Sequence, residues 1–424
     1  MNPSSLSGHI FELLEILQTD SRPADRVIDV FFRTRRYLGA HDRRDIAETV
    51  YGILRHRRFL QTLIAAVRSD ATLSFQWLFA AFKLHVEKAS LQTLPAFSLP
   101  ISPRDLAVLA ALDPRLKAKN LAERLSFPDW LVEKLQQQMN ATECERLLNA
   151  LNEPPPLTLR ANTLKTTREN CLQELRKRGF ECSSTRLAPD GIQMSKRANL
   201  FGLDLFQAGW FEVQDEGSQI ISLLLDPKPV WRIADVCAGG GGKTLHLSAL
   251  MQNRGEIFAS DPVPNRLENL QKRVRRNGVQ NVRVRDLSYA SQRADHFAGK
   301  MDAVLVDAPC SGTGVLRRNP DAKWKISPAM VQELAAKQKN ILRENAALVK
   351  PGGRLVYATC SLLAEENEEV VQAFLQEHPD FQPAAAADIL QRYQLHELAG
   401  GHYLRLYPHL HGCDAFFAAV LQRV

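Results

Sequence analysis

No run of about 18 uncharged apolar residues occurs in the 424-residue chain, so no stretch reads as a membrane-spanning helix. The N-terminal MNPSSLSGHIFELLEIL carries acidic Glu12 and Glu15 and no basic start before its apolar residues, so no secretory leader is expected. CxxC pairs are missing as well. The seven cysteines, Cys144, Cys171, Cys182, Cys237, Cys310, Cys360 and Cys413, form an odd set, which argues against a disulfide framework and against a zinc site. A reducing cytoplasm is the expected compartment, with no metal and no membrane partner. Long internal repeats and low-complexity tracts are also absent.

What is present is the composition of a soluble globular protein, 45% hydrophobic and 24% charged, in a chain long enough for two or three folded units. The formal net charge of +7 makes a polyanion such as RNA a candidate partner. Residues 1–152 carry helical periodicity, clearest in HDRRDIAETVYGILRHRRFLQTLIAA, where Ile46, Val50, Ile53, Leu54 and Leu60 recur at helical spacing. Arg33, Arg35, Arg36, Arg43, Arg44, Arg55, Arg57 and Arg58 concentrate in the same region. They read either as a track for a phosphate backbone or as a solvated face paired with Asp45 and Glu48. The helical pattern continues through DWLVEKLQQQMNATECERLLNALN and stops where Glu153 runs into Pro154, Pro155 and Pro156.

Residues 153–214 alternate short strand-like runs such as LTLRAN with the amphipathic CLQELRKRGF, which suggests a small α+β module with no visible chemistry. Residues 215–424 repeat strand, turn and helix. The runs WRIADV, EIFASD, NVRVRD, MDAVLVDAP and GRLVYATC predict a parallel sheet covered on both faces, with YLRLYP and DAFFAAVLQ as an antiparallel edge.

In CAGGGGKTLHLSALM a glycine-rich turn follows a strand and opens a helix, so backbone can approach a ligand closely while helix N–H groups point at it. A phosphate-binding loop needs glycine five positions before Gly242-Lys243, where Cys237 stands. A dinucleotide fingerprint needs glycine at position 244 or 245, held by Thr244 and Leu245. A methyl-donor site remains, because Asp261, about 20 residues on, can bond the ribose diol of S-adenosylmethionine. Asp286 and Asp307 also end strand runs, which places three acids along one carboxyl edge.

Cys310 and Cys360 stand 50 residues apart in sequence, each directly behind a strand run, so a parallel sheet brings both to that edge. Buried structural roles suit Cys144, Cys171, Cys182, Cys413 and Cys237. Two cysteines beside a methyl donor suit methylation of cytosine. Its carbon 5 is a poor nucleophile until a thiolate adds to carbon 6; the enamine then attacks the methyl group, a base takes the carbon 5 proton and the thiolate leaves. Asp307 is a candidate proton donor to ring nitrogen 3 during addition. Spacing does not say which cysteine attacks.

The segments DVCAGGGGKT, SDP with Asp261, RD with Asp286, DAPCSGTGVLRRNPDAKW and GGRLVYATCSLLAEENEEVV resemble the ordered motifs of the Sun-family RNA cytosine-5 methyltransferases. RANTLKT, FEVQDEGSQ and RLYPHLHGCDAFFAA resemble flanking parts of that family, and ADRVIDVFFRTRRYLGAHDRRDIAETVYGILRHRR resembles the NusB-like RNA-binding domain of its bacterial ribosomal RNA members. The resemblance implies an α/β Rossmann-like methyltransferase with a mostly parallel seven-stranded sheet, an all-α N-terminal domain and a small α+β module between them. It implies Cys360 as nucleophile, Cys310 as the residue that assists release, and a methyl donor held by Cys237, Ala238, Gly239, Gly240, Gly241, Gly242 and Lys243 with Asp261, Asp286 and Asp307. Lys243 is then also placed to face the target base.

Two positions depart from the family pattern. Gly239 and Gly240 replace an alanine and a proline, and the lost proline raises unfolded-chain entropy by about 0.4 to 1 kcal/mol, which loosens the turn. Ala415 replaces a glycine after aspartate. On the RNA side, Arg317, Arg318, Lys323 and Lys325 offer charges and Trp324 a stacking ring beside the cysteines, with a core place as the other reading for Trp324. Lys272, Arg273, Arg275, Arg276, Arg283 and Arg285 form a second basic cluster or a solvated helix face. The expectation is a monomeric enzyme that methylates carbon 5 of cytidines in ribosomal RNA. Transfer RNA as substrate, or an RNA-binding factor with a silent centre, are the alternatives.

Overall fold

The apolar stripe of residues 41–66 folds as the helix Ala40–Ala65, which buries Ile46, Val50, Ile53, Leu54 and Leu60 against helices Pro3–Thr19 and Phe75–His85. The computed structural model describes residues 1–114, 118–285, 297–398 and 401–424. They form two units: Met1–Pro154 with Leu316–Ser327, and Pro155–Val315 with Pro328–Val424. Within the first, the single helical pattern of 129–152 becomes two helices, Asp129–Gln138 and Ala141–Leu151. Asn140 turns extended between them, and its side chain accepts from the Glu143 amide at 2.9 Å, which caps a new helix start.

The first unit also takes in Leu316–Ser327; this corrects the expectation that Lys323 faces RNA and gives Trp324 the core place that was its other reading. The Trp324 indole donates to the Leu54 carbonyl at 2.9 Å, and Asp321 accepts from the Ala24 amide at 3.1 Å. Lys323 is 1% exposed. Its ammonium donates to the carbonyls of Arg55 (3.1 Å) and Ser126 (3.2 Å) and to Asn152 Oδ1 (2.5 Å), and lies 3.6 Å from the centre of the Phe127 ring. These partners meet the donor capacity of a buried ammonium, so the side chain anchors the segment.

The arginines divide in the same way. Arg55 is buried and donates to the Arg317 carbonyl at 3.1 Å, while Arg58 binds the Phe127 carbonyl and Asp129, both at 2.8 Å. Arg35 pairs with Glu12, whereas Arg33, Arg36 and Arg44 stay exposed. Burial, with the charges of Lys323 and Arg55, lowers His56 to about 3. The unfolded chain therefore binds a proton at His56 below about pH 6.5 that the folded chain refuses down to about pH 3. Relative to a His56→Gln variant, the thermal midpoint of the wild-type protein is expected to fall progressively as pH is lowered from 7 to 4. Parallel midpoints across that range would refute it.

The second unit opens with a small antiparallel sheet, β1 (Leu157–Ala161), β2 (Cys182–Ser184), β3 (Gly191–Met194) and β4 (Phe211–Val213), in the order β2-β3-β1-β4. The large sheet follows with β5 (Arg232–Asp235), β6 (Glu256–Ser260), β7 (Val282–Arg285), β8 (Met301–Asp307), β9 (Val349–Thr359), β10 (Phe381–Ala384), β11 (Tyr403–Leu406) and β12 (Phe416–Arg423). Strands β9-β8-β5-β6-β7 are parallel, and β12 runs antiparallel to β9. The seventh place is shared: β10 pairs with residues 420–423 of β12 and β11 with 416–419, so eight strands fill seven positions. The near-continuous apolar run of β8 is buried on both faces, as expected of an inner parallel strand. Because β5 has β6 on one side and β8 on the other, its carboxyl end lies at the point where strand order reverses and a crevice opens.

Candidate active site

β5 ends in Asp235 and runs into the turn 237–242, which opens the helix Gly242–Leu250. Gly239 and Gly241 have φ of +55° and +83°, left-handed values that favour glycine. A Cβ on Gly241 would stand 2.1 Å from the Leu270 side chain, so that position admits none. Asp235, which sequence reasoning passed over although it ends the strand, is 1% exposed. One of its oxygens accepts from Thr244 Oγ1 at 2.7 Å, and the other has no partner among the described residues. Burial pushes its carboxyl up to about 7.

Asp261 stands at the end of the next strand, 2% exposed. Its oxygens accept from the Gly239 amide at 3.0 Å and the Val263 amide at 2.9 Å, and Arg266 approaches to 3.3 Å, so the carboxylate also shapes the turn. Asp286 lies outside the described residues. Burial, with the charges of Asp235, Asp307 and Asp261, pushes the Cys237 thiol up to about 12, which keeps it protonated.

Lys243 projects from the first turn of the helix and donates to Asp307 Oδ2 at 2.7 Å, with its ammonium 5.3 Å from the centre of the Phe416 ring. Burial disfavours the charged amine, but the Asp307 charge and hydrogen bond, helped by Cys360 and Asp235, outweigh it and raise Lys243 above its ordinary value. Parallel pairing of Asp307 with Ala358 aligns the ends of β8 and β9, and the loops beyond bring Cys310 Sγ and Cys360 Sγ to 3.3 Å. The hydrogen bond to Cys360 comes first among the causes that push the Cys310 thiol well up, followed by burial and the charges of Cys360 and Glu366.

The loops cross at Gly314, whose amide donates to the Cys360 carbonyl at 2.9 Å and whose carbonyl accepts from the Ala415 amide at 3.1 Å. A Cβ at Gly314 would lie 2.8 Å from both the Ala415 Cβ and the Cys360 oxygen. Ala415 therefore fits only because residue 314 has no side chain.

The small sheet, expected to carry no chemistry, braces the glycine turn. Arg160 of β1, 2% exposed, donates to the Gly242 carbonyl at 2.8 Å and to Gln214; burial lowers it to about 10. Glu212 of β4 binds Arg273, Arg276 and Asn277, and Arg273 also donates to the carbonyl of Gly240, where the family has proline. Arg273 and Arg276 of the second basic cluster are therefore held by the protein itself. The run RAN carried the only sequence signal for this brace. Arg160→Met is expected to weaken methyl-donor binding by about tenfold in calorimetric titration, the scale of one lost hydrogen bond to a charged group. Unchanged affinity would show that the turn holds its shape unaided.

Among the described residues no group of three or more His, Cys, Asp or Glu could hold a metal ion, and no helix is long and apolar enough to cross a membrane. None of the seven cysteines is in a disulfide.

A sheet reversing order beside this acid-lined turn belongs to the Rossmann-like methyltransferases, which take their methyl group from S-adenosylmethionine. Solved structures agree on the class. The chain is similar to a methyltransferase homolog protein from Pyrococcus horikoshii, at 28% identity over 74% of this chain and 100% of that one, with a TM-score of 0.61. It is also similar to the crystal structure of PH0851, at 26% identity over 100% and 99% of the two chains, with a TM-score of 0.81. The model of the 16S rRNA methyltransferase RsmB/F family matches residues 222–422, and that of the RsmF/B-like ferredoxin-like domain matches 127–200. A probable ribosomal RNA small subunit methyltransferase B from Synechocystis is 33% identical over 413 residues, 91% of this chain and 92% of that protein. The chain belongs to the RsmB/F family of ribosomal RNA methyltransferases.

Proposed function

We propose that this enzyme methylates carbon 5 of cytidine in small-subunit ribosomal RNA through a covalent adduct with Cys360. The observation that carries the reading is the pair of cysteine sulfurs 3.3 Å apart, with the Lys243–Asp307 pair at the end of the neighbouring strand. The choice of Cys360 as the attacking sulfur rests on its place in the YATCS run, which resembles the nucleophile motif of the Sun family.

The residues fit a cationic methyl donor. Asp235 offers an unpartnered buried oxygen, Asp307 a second carboxylate, and the turn at Gly239 open space where a Cβ would stand. S-adenosylmethionine, when bound, supplies the electrophilic methyl group. The Cys360 thiolate adds to carbon 6, and the Lys243–Asp307 pair provides the proton that ring nitrogen 3 takes up as negative charge builds. After carbon 5 has been methylated, a base takes its proton. That electron pair re-forms the carbon 5–carbon 6 double bond as the carbon–sulfur bond breaks and Cys360 leaves as thiolate, and nitrogen 3 returns its proton to the Lys243–Asp307 pair. Cys310, in contact with that sulfur, assists the release.

The test is transfer of labelled methyl from S-adenosylmethionine into unmodified total RNA, separated by size and digested to nucleosides. Label in 5-methylcytidine from small-subunit ribosomal RNA is the expected result. Label in transfer RNA would move the substrate and keep the chemistry, and label in another nucleoside would overturn the proposal.

A further inference from the structure

Glu366 stands in a short 3₁₀ turn, Ala364–Glu366, shortly after Cys360, and is 0% exposed. Its carboxylate accepts four hydrogen bonds. Oε1 takes the Ser311 amide at 2.8 Å and Gln338 Nε2 at 3.0 Å, and Oε2 takes the hydroxyls of Ser361, at 2.5 Å, and of Ser311. Ser311 follows Cys310 and Ser361 follows Cys360. Gln338 also donates to the carbonyl of Pro309, the residue before Cys310, at 3.0 Å. One buried carboxylate therefore reaches both cysteine loops and, through Gln338, grips the Cys310 loop on either side.

The anchor is itself fixed. The Tyr357 hydroxyl of β9 donates to the Glu366 carbonyl at 2.6 Å and lies 3.2 Å from Gln338 Oε1. Hydrogen bonds to a buried carboxylate are short, directional and strengthened by low dielectric, so such a network resists displacement.

We propose that Glu366 is a positioning residue, setting the separation and relative orientation of the Cys310 and Cys360 sulfurs for adduct formation and release. The role rests on the two-cysteine chemistry proposed above. Its negative charge is also among the causes that push the Cys310 thiol up. The network holds the two cysteine loops in register through Ser311 and Ser361.

Glu366→Gln preserves the side-chain shape but turns one acceptor atom into a donor facing donors. Two readouts are taken on the full-length protein: kcat and KM for each substrate, and the relative alkylation rates of Cys360 and Cys310 by iodoacetamide, resolved by mass spectrometry. The expected result is a kcat lower by about 10²-fold with both KM values little changed, the scale of an ångström misplacement at a reacting centre. The ratio of the two alkylation rates should change by about fivefold or more, since it follows the access and thiolate fraction of each sulfur, which the loops set. Alkylation needs neither RNA nor methyl transfer, so it tests Glu366 even if the cytosine reading fails. A folded variant with unchanged kcat and alkylation preference overturns the proposal, and so does a variant merely less stable with the preference intact. Should Glu366→Gln not fold, Ser361→Ala removes one of the four donors and is read the same way. A smaller shift in both readouts supports the role, and none overturns it.

Discussion

Cys360→Ala is expected to abolish methyl transfer, while Cys310→Ala retains bond formation and accumulates a protein–RNA complex that survives denaturation. Removing a covalent nucleophile costs on the order of 10⁴-fold or more in turnover, because no other group in the site makes the bond. Cys310 Sγ lies 3.3 Å from Cys360 Sγ, so under the proposed mechanism its loss falls on the step that frees Cys360. Both variants are read on a denaturing gel with unmodified small-subunit RNA and labelled S-adenosylmethionine. Ordinary turnover by Cys360→Ala would reassign the nucleophile. A Cys310→Ala enzyme that turns over without a trapped complex would remove the release role.

The second large effect is expected at Lys243. Its ammonium lies 2.7 Å from Asp307, with Asp235 close enough to act on its charge. Lys243→Met leaves the Asp307 carboxylate without its cation in a largely buried site, where an unpaired charge is costly. Under the proposed mechanism the variant also loses the charge that meets the developing negative charge of the ring. Turnover is expected to fall by about 10²- to 10³-fold, the range for removing one preorganised donor from a reacting centre. A thermal melt and a methyl-donor titration on the same protein separate this loss from unfolding. A Lys243→Met enzyme with more than about a tenth of wild-type turnover would show that Asp307 acts without the ammonium.

Gly314→Ala is a further check on how the cysteines are held. The added methyl would meet the Cys360 carbonyl at 2.8 Å, so the Cys360 loop must shift and activity should fall while the fold persists. Wild-type kcat in this variant would mean that the loop crossing tolerates a shift of a few tenths of an ångström.

How much was legible follows from the range of each signal. Helical spacing in residues 41–66 and the apolar runs of β5 to β9 are local, so the sequence by itself placed the long helix and the parallel core. Parallel pairing then dictated that DAPC and YATC end at one edge, and the spacing of CAGGGGKT excluded a phosphate loop without any coordinates. Other features depend on partners distant in sequence. Trp324 and Lys323 follow a cysteine motif and look like an RNA-facing pair, yet folding turns them into the helical unit, where Leu54, Arg55, Ser126 and Asn152 receive them. Asp261 reads as a ligand residue by spacing, and only the bent turn reveals that it also accepts from the Gly239 amide. Arg160 and Glu366 lie in the runs RANTLKT and GGRLVYATCSLLAEENEEVV, but their roles were not legible there, because a buried side chain acts through where its partners fold. The sequence determined which groups stand at the carboxyl edge; tertiary structure decided which of them face one another, because buried charges and hydroxyls are satisfied by whichever donors the packing brings within reach.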